Sequence, residues 1–243
     1  MLARMWVFPL AAALVALVFA GALATQYRTR RRSYRAVWAI ALLMYAVASF
    51  VVFAATLRGW SPAAFRWYWA LGAVLNVPFL AQGELDLLVH RRGVRWALYV
   101  LLAFLSAYTI AVVRTADVNV AALDEELPSG KEVFGDGSAA HRLPQLISIP
   151  AYLVLVGGAL WSAWRMRRRP ELRDRFWGTL LIALGATVIA GFGSAFAALG
   201  ELAPFALALL AGIVVMFWGF LRASRAPPPS SGVRAEPRVA HPG

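Results

Sequence analysis

The chain of 243 residues contains no cysteine. That excludes disulfides, thiolate metal sites and cysteine nucleophiles. Lysine is nearly absent as well: of 24 basic residues only Lys131 is lysine. A retinal-type Schiff base needs a lysine in the last apolar segment, and none stands there. The three histidines, His90, His141 and His241, fall on different sides of the apolar segments and cannot converge on one metal. A membrane hydrolase of the ceramidase type, which needs several, is therefore excluded. The Gly193-Ser194 pair has no histidine within an apolar segment to activate the serine, as a rhomboid-type protease requires. No strand leads into a glycine-rich phosphate loop. The sequence thus predicts no catalytic residues, no metal site and no cofactor.

What the chain has in abundance is apolar length. It is 61% hydrophobic, against about 45–50% in soluble domains. The excess falls in seven stretches, approximately 5–25, 36–57, 63–89, 94–114, 144–164, 176–199 and 202–221. Each suffices for a bilayer crossing, which takes about 20 residues of helix. All should be α-helical, because lipid cannot satisfy the backbone of an open strand. The first stretch is read as a retained helix and not a signal peptide: it is long for one, and its basic cluster follows it. The expectation is an all-α membrane protein, a seven-transmembrane-helix bundle over 1–222. A disordered cytoplasmic tail, 223–243, follows, with Pro227-Pro228-Pro229-Ser230-Ser231-Gly232.

The basic residues give the bundle a direction. Arginines 28, 30, 31, 32 and 35 follow span 1; 91, 92 and 95 follow span 3; 165, 167, 168, 169, 173 and 175 follow span 5; and 222, 225, 234 and 238 follow span 7. These eighteen face six on the other side, Arg4, Arg58, Arg66, Arg114, Lys131 and Arg142. The positive-inside rule then puts the N-terminus outside and the C-terminus in the cytoplasm. It also accounts for the net charge of +12 without nucleic acid, and makes membrane lipids with anionic headgroups the expected partners of the basic turns. Tryptophans support the boundaries: Trp38, Trp96, Trp161, Trp164 and Trp177 near the inner one, Trp6, Trp60, Trp67 and Trp69 near the outer one. The long outer connection, 115–142, carries Asp117, Asp124, Glu125, Glu126, Glu132 and Asp136 and reads as a solvated acidic loop.

Span 3 is the most polar helix, with Asn76, Pro78, Gln82, Glu84 and Asp86 in its inner half. Ionisable groups inside a span are candidates for function. Gln82, Asp86 and His90 share one stripe, whereas Glu84 lies about 160° round the helix from Asp86 at 100° per residue. The two carboxylates do not converge as an acid/base pair. Both fall near the inner interface, where arginines of neighbouring turns are expected to pair with them. Asn76, Gln82, Glu84 and Asp86, with Tyr152 of span 5, are the candidate ligand or transport residues. Ser148, Pro150 and Gly157-Gly158 make span 5 a kinked wall. In span 6, Ala183, Thr187, Gly191 and Ala195 recur every four residues, a small-residue stripe that predicts close helix packing.

Residues 21–32 (GALATQYRTRRR) echo residues 158–169 (GALWSAWRMRRR), and Gly72-Ala73-Val74 echoes Gly212-Ile213-Val214. Both fit a parallel 3+1+3 repeat with span 4 as connector, although the rule of basic inner turns generates part of the likeness. Such a plan resembles the PQ-loop and SWEET carriers. Pro144-Gln145 opens span 5, but the first half has no matching Pro-Gln pair. The runs RGWSPAAFRWYWALGA (58–73) and LVGGALWSAWR (155–165) resemble an uncharacterised group of seven-helix bacterial membrane proteins. That resemblance implies a bacterial plasma membrane and carries over no catalytic residue.

The sparse polar lining favours a non-enzymatic receptor-like or accessory protein that binds an apolar ligand, a lipid or a membrane protein partner. The alternative is a small-solute carrier with its site at span 3 between two three-helix halves; an intramembrane enzyme has least support. The orientation is testable on a chain without cysteine. A cysteine replacing Ser129 should react with an impermeant thiol reagent from outside intact cells, and one replacing Ser33 should not; the reverse pattern would overturn the topology.

Overall fold

The computed structural model describes residues 6–224. Arg4 and the tail from residue 225 onward lie outside these residues. Among the described residues the protein is all helical, with no strand, and seven long helical stretches follow one another. We label them α1 (Val7–Thr29), α2 (Ser33–Arg58), α3 (62–88), α4 (Arg92–Thr115), α5 (Ala139–Met166), α6 (Pro170–Ala198) and α7 (Leu202–Ser224). All but α3 are long and apolar enough to cross a membrane, six helices in all, so the chain is a multi-pass membrane protein. The helices run past the apolar stretches into the basic turns: α1 continues to Thr29 and α2 begins at Ser33. Arginine is a good helix former, and its long stem lets the guanidinium leave the apolar region while its backbone stays helical.

Six of the helices close a ring in the order α1, α2, α3, α5, α6, α7 and back to α1, and α4 stands outside it against α3. Large side chains from every ring helix meet on the axis. Phe19 and Leu23 come from α1, Trp38 and Leu42 from α2, Leu80 from α3, Leu155 from α5, Ile182 from α6 and Met216 from α7. The void left among them is about 10 Å³, no more than one water's worth of space. Tyr45 of α2 also crosses the interior and donates its hydroxyl hydrogen bond to the Leu209 carbonyl of α7 at 2.8 Å. Helix α4 is the least enclosed. Only 11% of its apolar window is buried, against 50% in α2 and α7, which leaves one line, Leu102, Thr109 and Val113, against the ring.

One end of the bundle carries the arginine turns. The other is closed by segment 116–138, which is structured and not a solvated loop. It contains a 3₁₀ turn, Val120–Asp124, and a short helix, Gly130–Phe134. Ser129 caps that helix: its Oγ accepts from Glu132 N–H and donates to the Glu132 carboxylate. The segment's acids sit among exposed positions, while Leu123, Leu127, Val133 and Phe134 are buried. They pack on an aromatic cluster at the start of α3, where Phe65 contacts Trp60, Tyr68, Trp69 and Phe134. Trp60 donates to the Glu126 carbonyl and so pins the cap, while Trp69 donates to the Ala140 carbonyl at the start of α5, where the cap ends. Gly130 lies directly against the Trp69 ring, where any side chain would collide with it.

Close packing of α6 is made by a different face from the expected one. Gly191 and Ala195 are exposed, and Gly191 has nothing near it. Thr187 donates within its own helix, to the Ala183 carbonyl, and accepts from Tyr152 of α5, not from α7. The close approach to α7 runs through Gly178 against Gly219 and Gly185 against Gly212. A Cβ at Gly185 would stand 2.5 Å from the Gly212 carbonyl oxygen. The four-residue stripe and this seven-residue spacing are both legible in the sequence, but only the neighbouring helix selects between them. Gly185→Leu should therefore destabilise the bundle by about 1–3 kcal/mol, the usual cost of overpacking. Gly191→Ala should change it by no more than about 0.5 kcal/mol, as at exposed sites. Thermal unfolding in detergent distinguishes the two, and equal effects would contradict this packing.

Candidate functional site

The polar residues of the chain's interior collect on α3, which is built in three pieces: an α-helix Pro62–Tyr68, a π-helix Trp69–Leu75 and an α-helix Asn76–Leu88. Ser61 starts it, with its Oγ accepting from the Ala64 N–H and Pro62 in the first turn. Pro78 brings no N–H, so the carbonyl four residues back, Val74, loses its usual donor, and the helix widens over the turn before it. The repair comes from α5. Ser148 Oγ lies 2.9 Å from the Ala73 carbonyl oxygen and 3.0 Å from that of Val74, and its single proton serves the pair. Ser148 itself ends a second π-turn, Pro144–Ser148. Two wide turns thus interlock where α3 meets α5.

Below this joint the candidate residues point to different neighbours. Asn76 is buried and donates to the Ala41 carbonyl of α2 at 2.7 Å. Gln82 donates to Asp86 Oδ1 at 3.1 Å, and the Tyr99 hydroxyl of α4 donates to Asp86 Oδ2 at 2.5 Å. Glu84, only 4% exposed, turns to α5, where the Ser162 hydroxyl donates to its Oε1 at 3.3 Å. Gly158 makes room for it: a Cβ there would stand 2.7 Å from Glu84 Cγ. On the α2 side Trp38 donates to the Leu80 carbonyl at 2.9 Å, and its indole fills the space that a side chain at Gly83 would need. Tyr152 faces α6 and donates to Thr187 Oγ1 at 3.0 Å.

The separation of Glu84 from Asp86 expected from helix geometry is therefore present: one carboxylate meets α5, the other α4. The expected arginine pairing is not. The ion pairs among the described residues are Lys131–Asp136, His141–Asp136 and Arg222–Asp174, and none involves α3. The reason lies in the backbone. Helix α3 ends at Leu88 with Val89 extended, so Arg91 is not carried two turns beyond Glu84 on the same face. Neutral hydroxyl and amide donors hold both carboxylates instead. Sequence reasoning missed Tyr99, Trp38 and Ser162 as partners; Ser162 follows Gly158 by one helical turn, a spacing that offers a clue once Gly158 is known to face α3.

No protein-family model, no curated protein and no solved structure matches the chain. Among the described residues no three His, Asp or Glu side chains group to hold a metal ion. The arrangement is a set of buried and half-buried polar ties, all but Gln82–Asp86 linking α3 to another helix, with one carboxyl, Glu84, that has a single neutral donor and spare acceptor capacity.

At its opposite ends α4 is held by polar contacts: Tyr99 to Asp86 at the arginine end, and at the cap end Arg66 of α3, which donates to the carbonyls of Val113 and Ala116 at 3.1 and 2.9 Å. Asp86→Ala removes one tie and leaves the other. It should cost about 1–2 kcal/mol. Amide exchange should rise in the first turns of α4 and stay unchanged around Val113; a uniform rise along α4 would show that Asp86 does not act as a local tie.

Proposed function

We propose that the protein is a seven-span integral membrane protein of a bacterial plasma membrane, N-terminus and cap outside, arginine turns and C-terminus in the cytoplasm. We propose further that it acts as a receptor-like protein, binding an apolar ligand, a lipid or a partner's helices, and not as an enzyme. Helix α3 is the seventh span in this reading. Its 62–88 stretch reaches about 40 Å at 1.5 Å per residue, more than the roughly 30 Å hydrocarbon core. It can be less apolar than the others because α2, α4 and α5 cover it. The orientation rests on the eighteen-to-six distribution of basic residues.

One observation carries the receptor-like reading: α3 joins the aromatic floor of the cap to buried Glu84 and half-buried Asp86, with a π-turn and Pro78 between them. A change at the cap therefore has a direct mechanical route to the arginine end, through a helix whose backbone bonding is already interrupted. The filled axis supports signalling over passage of a solute in this conformation. The carrier reading keeps one support of its own. The ring order is the order that a two-fold axis would give in carrying α1–α3 onto α5–α7, with α4 outside as connector.

The test is hydrogen exchange on the protein in nanodiscs. Trp60→Phe loses the bond to the Glu126 carbonyl and part of the indole's packing on Phe65 and Tyr68, and so loosens the cap. It should raise exchange in the cap and also in 76–88; a rise confined to the cap would remove the receptor-like reading. Solute uptake into proteoliposomes that Glu84→Gln abolishes would replace it with the carrier.

A further inference from the structure

At the arginine end, α5 turns one face away from the ring. Leu153, Gly157, Leu160, Trp161 and Trp164 are exposed on it, and exposed Arg167 caps its end, at the three- and four-residue spacings that line up along a helix. Gly157 has nothing within 4 Å of the place where a Cβ would stand, so the face carries an open notch one turn before Trp161. Trp161 and Trp164 stack, with ring centroids 5.5 Å apart and planes 25° from parallel. Arg167 continues the stack, its guanidinium carbon 4.4 Å from the Trp164 ring centroid. Among the described residues Arg167 forms no ion pair, and Asp174, one of two acids in the turn 165–175, is already engaged by Arg222.

We propose that this face binds one anionic phospholipid, its phosphate on Arg167 and an acyl chain in the notch over Gly157 alongside Trp161. The charge is complementary, and the turn holds six arginines against Glu171 and Asp174. Stacking on Trp164 orders the guanidinium beforehand and leaves its N–H edge open for two bonds to a phosphate. Tryptophan side chains are suited to the headgroup level, the depth at which this step from apolar notch to cation occurs. The other arginine turns lack the combination. Arg35 donates to the carbonyls of Gln26 and Arg30 and lies over Tyr34, closing its own turn, and no arginine of the turn after α3 lies over an aromatic ring among the described residues.

This inference rests on membrane embedding and not on the receptor-like role, so each can fail without the other. The full chain is placed in nanodiscs of phosphatidylcholine with a minor fraction of phosphatidylglycerol, released into mild detergent, and weighed by native mass spectrometry. The wild type should retain one phosphatidylglycerol in preference to phosphatidylcholine. Arg167→Ala should lower that retention about fivefold, the factor given by about 1 kcal/mol per basic residue at the membrane surface. Gly157→Leu, whose side chain enters open space, should lower it as well while leaving the circular dichroism spectrum unchanged. Arg92→Ala, in a different turn, should leave it unchanged. Undiminished retention in Arg167→Ala or Gly157→Leu, an equal loss in Arg92→Ala, or no preference for the anionic lipid would overturn the proposal.

Discussion

An apolar bundle admits a polar helix only where protein donors and acceptors replace those that water would have supplied. Helix α3 meets that constraint residue by residue. Asn76 reaches an α2 carbonyl, Asp86 takes donors from Gln82 and Tyr99, Glu84 takes one from Ser162, and the carbonyl freed by Pro78 is served by Ser148. Leaving such a group unmet in lipid costs several kcal/mol, so the positions of α2, α4 and α5 around α3 follow from its polar pattern. The ring of helices, with α4 attached outside it, is the arrangement in which each of these bonds has a partner within reach.

The rest of the packing completes that frame. Paired glycines draw α6 and α7 together, Tyr45 bridges α2 to α7, and the bulky residues of all six ring helices fill the axis. The cap then seats on the aromatic start of α3. Its acids give the impression of a loop in water, yet buried Leu127, Val133 and Phe134 hold it to the bundle. The arginine end is held by hydrogen bonds, such as Tyr99 to Asp86 and Arg35 to the Gln26 carbonyl, more than by ion pairs, of which Arg222–Asp174 is its one example among the described residues. Its charges face outward, where the membrane surface and its anionic headgroups would meet them.

Much of this architecture was legible in the chain. The apolar runs gave the helices, because a period-free stretch of about 20 apolar residues has no other stable form in lipid. The 160° angle between Glu84 and Asp86 follows from helical pitch alone and is present in the fold. The contact partners were not legible. The Thr187-Gly191-Ala195 stripe is as good a packing motif as Gly178 and Gly185, and nothing local says which faces α7. Arginine pairing with Glu84 and Asp86 was equally reasonable, yet no ion pair reaches either among the described residues, and the arginines after α3 leave its helical face at Val89.

Composition and periodicity by themselves determined that this chain is helical, that it is inserted in a membrane, and which turns carry its charge, because each of those is a local property of consecutive residues. Only the tertiary structure decided that α3 is enclosed while α4 is exposed, that the acidic segment folds into a cap, and that hydroxyls and an amide, not arginines, hold the carboxylates of α3. Those outcomes depend on which helix stands beside which, a choice made by side chains more than forty residues apart in sequence, as with Trp38 and Leu80 or Ser148 and Val74.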